Sequence, residues 1–300
     1  MNPSELDKKV KDKKFKYIAS ADDQRKETQI LLVTANQREY YAVLSLLEPV
    51  KGEALLRYHH KWKVNFLIKY VTYIFGKFGA FNAAVQIMET QGTAAAQDVI
   101  MIASQCFQKL HAIFAVGVAC GVQGKSNLLD VLMSKNITCY NLTRYGTNKE
   151  GKPEIKNRDI TNLETSPFLC HCFNPSSYPQ TKTAIESKKN PFMIQGHILT
   201  GDTLVDNQNH KEELLNNYAK DAIGIEMEAG GLFHDKSNNS CEVMIVKGVC
   251  DFGDGKKTKE YQPTAALLAA ECIHHYLSDE NMPKKLHDFK GKATVIINDL

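Results

Sequence analysis

The sequence lacks the marks of a membrane-spanning or secreted protein. No apolar run approaches the roughly 18 residues that a membrane-spanning helix needs. The lysine-rich first residues are not followed by the apolar segment of a signal peptide. The eight cysteines are scattered over 300 residues without a CxxC pair, so they do not indicate a disulfide framework. These absences predict a soluble, cytoplasmic protein with reduced cysteines that does not contact a membrane.

The sequence also lacks a large excess of charge of one sign. The chain has 37 lysines and arginines against 34 acidic residues, for a formal net charge of +3. A nucleic-acid-binding chain is normally more basic, or concentrates its basic residues on one face. Hydrophobic residues make up 43% of the sequence, which is ample for a core. We therefore expect a small-molecule partner and no nucleic acid.

Motifs for metals and common cofactors are missing as well. The closest approach to a metal motif is Cys170-His171-Cys172, but structural zinc sites usually separate their cysteines by two to four residues. The glycine-rich turn Gly117–Gly121 is neither a GxGxxG fingerprint nor a P-loop, because it lacks the Lys-Ser/Thr pair. We expect no metal and no cofactor.

Short apolar strands alternate with helical segments along most of the chain. Runs such as 29–35 and 112–117 are largely apolar, as is typical of strands buried on both faces. This pattern predicts an α/β fold, a three-layer α/β/α arrangement around a central mixed sheet. We expect a Lys-rich flexible arm over 1–28, one catalytic domain over 29–280, and a tail over 281–300 in which 293–297 either adds an edge strand or packs on a partner.

Residues that suggest a binding site follow the predicted strands at four places, the last of which is a pair of strand ends. They lie in Thr34–Glu39, in Gly117–Gly121, in Gly201–Val205, and in the pair Glu226–Glu228 and Cys250–Asp254. Ligands of open α/β sheets bind where the carboxyl ends of strands meet. Carboxylates brought together there could perform general acid–base catalysis. Each motif alone has a structural explanation, such as a tight turn or a helix cap.

The order of these motifs resembles the nucleoside phosphorylase/nucleosidase superfamily, which includes purine nucleoside phosphorylases and methylthioadenosine/S-adenosylhomocysteine nucleosidases. The resemblance spans about 29–277 and is strongest in Ile223–Ala229, Val246–Asp251 and Gly201–Val205. The segments Phe75–Gly79 and Asp251–Pro263 are similar to a subgroup of immune-associated nucleosidases, some of which act on ATP. The resemblance implies a phosphorylase/hydrolase-like fold, a possible immune or antiviral effector role, and a homo-oligomer.

The resemblance also implies roles for individual residues. Asp251 would be the general acid at purine N7, and Glu39 would orient the attacking water. Glu228 would bind the ribose hydroxyls above Met227. The remaining substrate-binding positions are Glu226, Leu204, Val205, Ala119, Cys120, Gly121, Arg38 and Arg144. The sequence departs from the family pattern at two places. The glycine-rich turn has Val118 and Cys120 where the family usually offers a serine, and Leu204 stands where an aromatic residue is common.

The chemistry of N-ribosidic bond cleavage fits these assignments. The sugar gains positive charge and the departing purine gains negative charge, so an acid at the base and a carboxylate near the sugar both help. The acid must be held in its protonated form, which burial favours. We therefore predict a purine nucleosidase, which is an N-glycosidase, acting on an adenine nucleoside or nucleotide. One candidate reaction is the cleavage of ATP to adenine and ribose triphosphate.

Two other functions stay open. A purine nucleoside phosphorylase would bind phosphate through arginine forks and hydroxyls, of which the glycine-rich turn has none. A catalytically inactive nucleotide-sensing module could use the same fold. If the substrate is a nucleotide, loop cations could bind its phosphates, and the candidates are Arg38, Lys125, Arg144, Lys256 and Lys257.

Overall fold

The computed structural model describes residues 3–64, 67–141, 143–157, 162–175, 181–233 and 241–288. Its helices are α1 (Pro3–Lys11), α2 (Asp22–Glu27), α3 (Gln37–Leu46), α4 (Thr93–Cys106), α5 (Pro167–Cys172), α6 (Lys182–Ser187), α7 (Gln208–Tyr218), α8 (Ala229–Leu232) and α9 (Gln262–Leu277). Its strands are β1 (Lys14–Tyr17), β2 (Ile30–Thr34), β3 (Ala54–Val64), β4 (Leu67–Phe78), β5 (Phe81–Ile87), β6 (Ala112–Gly121), β7 (Val131–Cys139), β8 (Thr143–Thr147), β9 (Pro153–Asn157), β10 (Asn162–Glu164), β11 (Met193–Thr200), β12 (Gly224–Glu226) and β13 (Glu242–Asp251).

Eleven of these strands form one mixed sheet. Its order is β1-β3-β4-β5-β2-β6-β12-β11-β7-β10, and β13 pairs with both β6 and β7. The pairings β6–β13, β13–β7, β7–β11, β11–β12 and β12–β6 therefore close a ring of five strands. This closure covers the edges of the most buried strands and brings the ends of β6, β12 and β13 together.

Two hydrophobic cores lie on opposite faces of the sheet. One is formed with α1, α3 and α9 and includes Val43, Phe114 and Leu268. The other is formed with α4 and α8 and includes Val99 and Leu232. The central strands face apolar residues on both sides, which explains why β2 is buried at all five positions. The predicted α/β/α fold with a central mixed sheet is confirmed.

The first 28 residues differ from the predicted flexible arm. They form α1, β1 and α2, and β1 pairs in parallel with β3. Leu6 and Val10, on one face of α1, are buried in the core beside α3. The lysines of α1 occupy its exposed face, so a sequence that reads as polar still supplies an amphipathic helix.

Two other segments differ in detail from the sequence-based expectations. The polar region 143–190, in which the sequence predicts no strand, contains the β8–β9 hairpin, β10 and two short helices. Residues 282–288 of the tail are helical, with Met282 and Leu286 buried in the core. The predicted edge strand over 293–297 lies outside the described residues.

Candidate active site

A cavity of about 380 Å³ opens where the predicted strand ends converge. Its lining comes from the loop after β2, the ends of β6, β12 and β13, the loop after β11, and the segment before α9. The residues that line it are Asn36, Glu39, Gln91, Val118, Ala119, Cys120, Thr203, Leu204, Val205, Ile225, Glu226, Met227, Glu228, Cys250, Asp251, Lys257, Lys259 and Gln262. A second cavity, of about 340 Å³, lies between α2 and β4, away from these strand ends.

Glu39 is fixed on one wall of this cavity by backbone donors. Its Oε2 accepts hydrogen bonds from the backbone N–H groups of Ala35 (2.7 Å) and Asn36 (3.3 Å), and its Oε1 accepts one from Val118 (2.9 Å). Asn36 completes a capping box at the start of α3 by accepting from the N–H of Glu39. Burial raises the pKa of Glu39 against the attraction of Lys247, with the charge of Glu228 also raising it. This buried carboxylate is therefore rigid and closer to the neutral range in which a base works well.

Gly117 in β6 makes room for Glu39. A Cβ atom at this position would collide with Cδ and Oε1 of Glu39 and would lie 2.8 Å from Oε2. Real Cβ atoms do not approach other heavy atoms so closely. The glycine therefore allows α3 to bring its carboxylate onto the end of β6.

Lys247 lies beneath the site, in the interior of β13, with a side chain 2% exposed. Its Nζ lies 2.8 Å from Oε2 of Glu228 and 3.9 Å from Oε2 of Glu226. Burial lowers the pKa of this lysine, but the attraction of Glu228, Glu39 and Glu226 outweighs burial and raises it overall. Lys247 is therefore a buried cation that neutralises part of the acidic cluster.

Glu226 and Glu228 have different environments although they are two residues apart. Glu226 has no exposed side-chain surface and accepts hydrogen bonds from the N–H groups of Glu228 and Ala229 at the start of α8. Burial, reinforced by the charge of Glu228, raises the pKa of Glu226 to about 7. Of the two carboxylate oxygens of Glu228, only Oε2 has a hydrogen-bond partner among the described residues, and that partner is Nζ of Lys247. Glu226 thus supports the helix, and Glu228 can offer Oε1 to a ligand.

Asp251 closes the other end of the cavity, at the end of β13. Its Oδ1 accepts from the N–H of Gly253 (3.0 Å), and its Oδ2 lies 3.2 Å from Sγ of Cys250 and 3.4 Å from Nζ of Lys257. Gly253 has a φ of +57°, which favours glycine at this turn. The loop after Asp251 is also fixed from below, because buried Lys211 of α7 donates to the carbonyl of Phe252 (2.6 Å).

The structure brings most of the predicted site residues into this one cavity. Glu39, Glu226, Met227, Glu228 and Asp251 line it together with Ala119, Cys120, Leu204 and Val205. Val205 is buried, whereas Leu204 is 61% exposed and forms part of the outer margin. Arg38 is exposed beside the cavity, where its Nη1 donates to Oε1 of Gln262.

Three predicted residues have other placements. Gly121 is absent from the cavity lining, and its α-carbon packs toward Ser126 and Val249. Lys125 donates to the backbone carbonyls of Lys220 and Ala222, away from the cavity. Arg144 belongs to β8, but its side chain lies outside the described residues.

Sequence reasoning missed Lys247, Lys259, Gln262 and Asn36. A signal for Lys247 was present, because it is the one charged residue in the otherwise apolar run 243–250. A lysine inside a buried strand needs partners of opposite charge, so it points to a nearby acidic cluster.

The cysteines near the cavity are free thiols, as are all eight in the chain. Burial, reinforced by the charge of Asp251, raises the pKa of Cys120 to about 12, which makes it a poor nucleophile. The described residues contain no cluster of three His, Cys, Asp or Glu side chains that could hold a metal ion. In the same part of the chain, no helix is long and apolar enough to cross a membrane.

A family model, described as the phosphorylase superfamily, matches residues 32–278. The chain belongs to this superfamily. Within it, a death domain-containing ATP nucleosidase from Amphimedon queenslandica is 28% identical over 282 residues, covering 87% of this chain and 50% of the relative. A 5′-methylthioadenosine/S-adenosylhomocysteine nucleosidase from Buchnera aphidicola is 25% identical over 150 residues, covering 48% of this chain and 57% of the relative. The chain thus spans about half the length of these relatives.

Solved structures of 5′-methylthioadenosine/S-adenosylhomocysteine nucleosidases share the fold. The 5′-methylthioadenosine/S-adenosylhomocysteine nucleosidase of Streptococcus pneumoniae, bound to the transition-state inhibitor MT-ImmA, has a TM-score of 0.63 at 15% identity. The alignment covers 84% of this chain and 99% of that one. A likeness at this identity establishes the fold alone.

Proposed function

We propose that the protein is a purine nucleosidase that hydrolyses the N-ribosidic bond of an adenine nucleoside or nucleotide. The observation that carries this proposal is that Glu39 of α3, Glu228 just after β12 and Asp251 at the end of β13 line one cavity. The Amphimedon queenslandica relative is named as an ATP nucleosidase, and this name supports adenine and makes ATP a candidate substrate.

Each carboxylate has a task in the proposed reaction. Glu228 accepts from the ribose hydroxyls through Oε1, while Lys247 holds Oε2. Glu39 takes a proton from the attacking water, whose oxygen bonds to C1′ as the bond to the purine breaks. Asp251 gives its proton to N7, so that the purine leaves as a neutral base. The electron pair of the broken bond stays with the purine.

Hydrolysis is favoured over phosphorolysis by the groups around the glycine-rich turn. Glu39 stands beside Val118, and its negative charge would repel an incoming phosphate. Val118, Ala119 and Cys120 offer neither a cation nor a hydroxyl for phosphate. A water molecule at this wall, in contrast, lies beside Glu39, which can act as its general base.

We infer a homo-oligomer and a cytoplasmic location, as the resemblance and the composition predict. We also infer an immune effector role, supported by relatives whose names combine a nucleosidase with a death domain or describe an NLR-like protein. The NLR-like relative, from Hyaloscypha variabilis, is 33% identical over 82 residues and covers 27% of this chain and 8% of its own length.

Chromatography of reaction products tests the activity. We expect free adenine from ATP, AMP, adenosine or methylthioadenosine, at a rate independent of added phosphate. Asp251→Asn should lower kcat by about 100-fold or more, because general acid catalysis contributes that much. Asp254→Asn, in the same loop but outside the cavity lining, is the matched control and should keep its activity.

Three results would contradict this account. Ribose 1-phosphate formed only with phosphate would show a phosphorylase. No free base from any of the four substrates would leave a nucleotide-sensing module. Unchanged adenine release by Asp251→Asn would refute the acid role alone.

A further inference from the structure

One end of the cavity is not used by the cleavage chemistry. The cleavage chemistry uses the walls formed by β6, β12 and β13, where Asp251, Glu228 and Glu39 act on the base, the ribose and the attacking water. The loop after β11 adds Thr203, Leu204 and Val205, and the remaining lining residues are Asn36, Gln91, Lys257, Lys259 and Gln262. Each of these last five is polar or cationic.

Arg38 adds a third cation to this end. It contacts Gln262 through its guanidinium, so the beginning of α3 and the beginning of α9 meet at the margin of the cavity. Lys257 and Lys259 come from the segment that leads into α9. The acidic side chains deeper in the cavity already have partners, since Lys247 and backbone N–H groups hold Glu226 and Glu228. The cations at the margin therefore create a positive end.

We propose that this end binds the 5′-phosphate groups of a nucleotide substrate through Lys257, Lys259 and Arg38. The inference rests on the proposed function, because that function places the base at Asp251 and the ribose at Glu228. The 5′ substituent must then extend into the part of the cavity that is left. An apolar substituent such as methylthio would need an apolar wall, whereas amide, ammonium and guanidinium groups suit phosphate oxygens.

Lys257 connects this end to the acid. Its Nζ lies 3.4 Å from Oδ2 of Asp251, so the cationic end begins directly beside the carboxylate assigned to the base. Phosphates bound at this end should therefore lower KM.

Kinetics with ATP, AMP and adenosine test the subsite. Lys259→Ala and Arg38→Ala should each lower kcat/KM for ATP by about tenfold or more, the usual effect of losing a charge-assisted contact. Adenosine cleavage should stay the same within about twofold, because adenosine carries no phosphate to lose the contact. Lys256→Ala is the matched control, since this exposed lysine of the same loop is outside the cavity lining.

A binding measurement separates the subsite from the reaction. Calorimetric titration of Asp251→Asn with ATP and with adenosine should show tighter binding of ATP, and Lys259→Ala in the same background should weaken ATP binding by about tenfold while adenosine binding stays the same. If adenosine equals ATP in both kcat/KM and affinity, or if the two variants leave ATP kinetics unchanged, the subsite is refuted. If no substrate releases adenine but ATP binding still depends on Lys259, hydrolysis is refuted and the subsite stands.

Discussion

Lys247 is the residue on which the acidic side of the site depends. It is buried in a strand and faces carboxylates from two other elements. Removing one member of a buried ion pair leaves an uncompensated charge and costs about 3–5 kcal/mol. Lys247→Met should therefore lower the free energy of unfolding by that amount and raise KM, because Glu228 loses the partner that orients it.

Urea denaturation and steady-state kinetics measure both effects. Lys247→Arg keeps the positive charge and should recover part of the stability and of the KM. If Lys247→Met were as stable as the wild type with an unchanged KM, the buried lysine would have no positioning role.

Glu226 makes the stability of the fold depend on pH. Burial raises its pKa from 4.5 to about 7, so the folded protein keeps a proton that the unfolded chain releases. Stability is then highest below pH 4.5 and falls as pH rises through about 7, by about 3 kcal/mol in total for this group. Glu226→Gln should lack this fall. The unfolding free energies of the wild type and of Glu226→Gln should therefore be similar near pH 4.5 and differ increasingly toward pH 8. A difference that stays constant over this pH range would contradict the assignment.

At the scale of elements, α3 and β6 hold the water-orienting carboxylate by close approach. Gly117→Ala would push Glu39 away from the end of β6 without removing any reacting group. Misplacement of a catalytic group by about 1 Å can cost about 100-fold in rate, so kcat should fall by about that factor. Gly196→Ala, in β11, is the control, because its Cβ would meet only Ile223 at 3.1 Å. Equal kinetics for the two variants would show that Glu39 does not need this position.

The positions of these elements were largely predictable. Apolar runs bounded by polar residues marked β2, β6 and β13, and their ends marked Glu39 and Asp251. The hairpin β8–β9 and helix α1 were not predictable from local pattern, because both are polar over most of their length. The ion pairs of Lys247 and Lys257 join residues from different elements or loops, and such contacts depend on the tertiary fold.

For the whole molecule, the N-terminal segment is an integral part of the domain. Leu6 of α1 is 3% exposed in the core that also contains α3 and α9. Leu6→Ala should therefore lower the free energy of unfolding by about 2–5 kcal/mol, as for other buried leucines. Lys8→Ala, on the exposed face of α1, should change it by less than about 0.5 kcal/mol. Equal urea midpoints for the two variants would restore the flexible-arm prediction.

The central claim is that water, and not phosphate, attacks C1′ in a cavity lined by Glu39, Glu228 and Asp251. The most direct measurement is mass spectrometry of the ribose product after reaction with ATP or adenosine in ¹⁸O-labelled water containing phosphate. The account predicts free adenine together with a ribose product that carries one ¹⁸O atom at C1. A ribose product that carries phosphate at C1 and no label would contradict it.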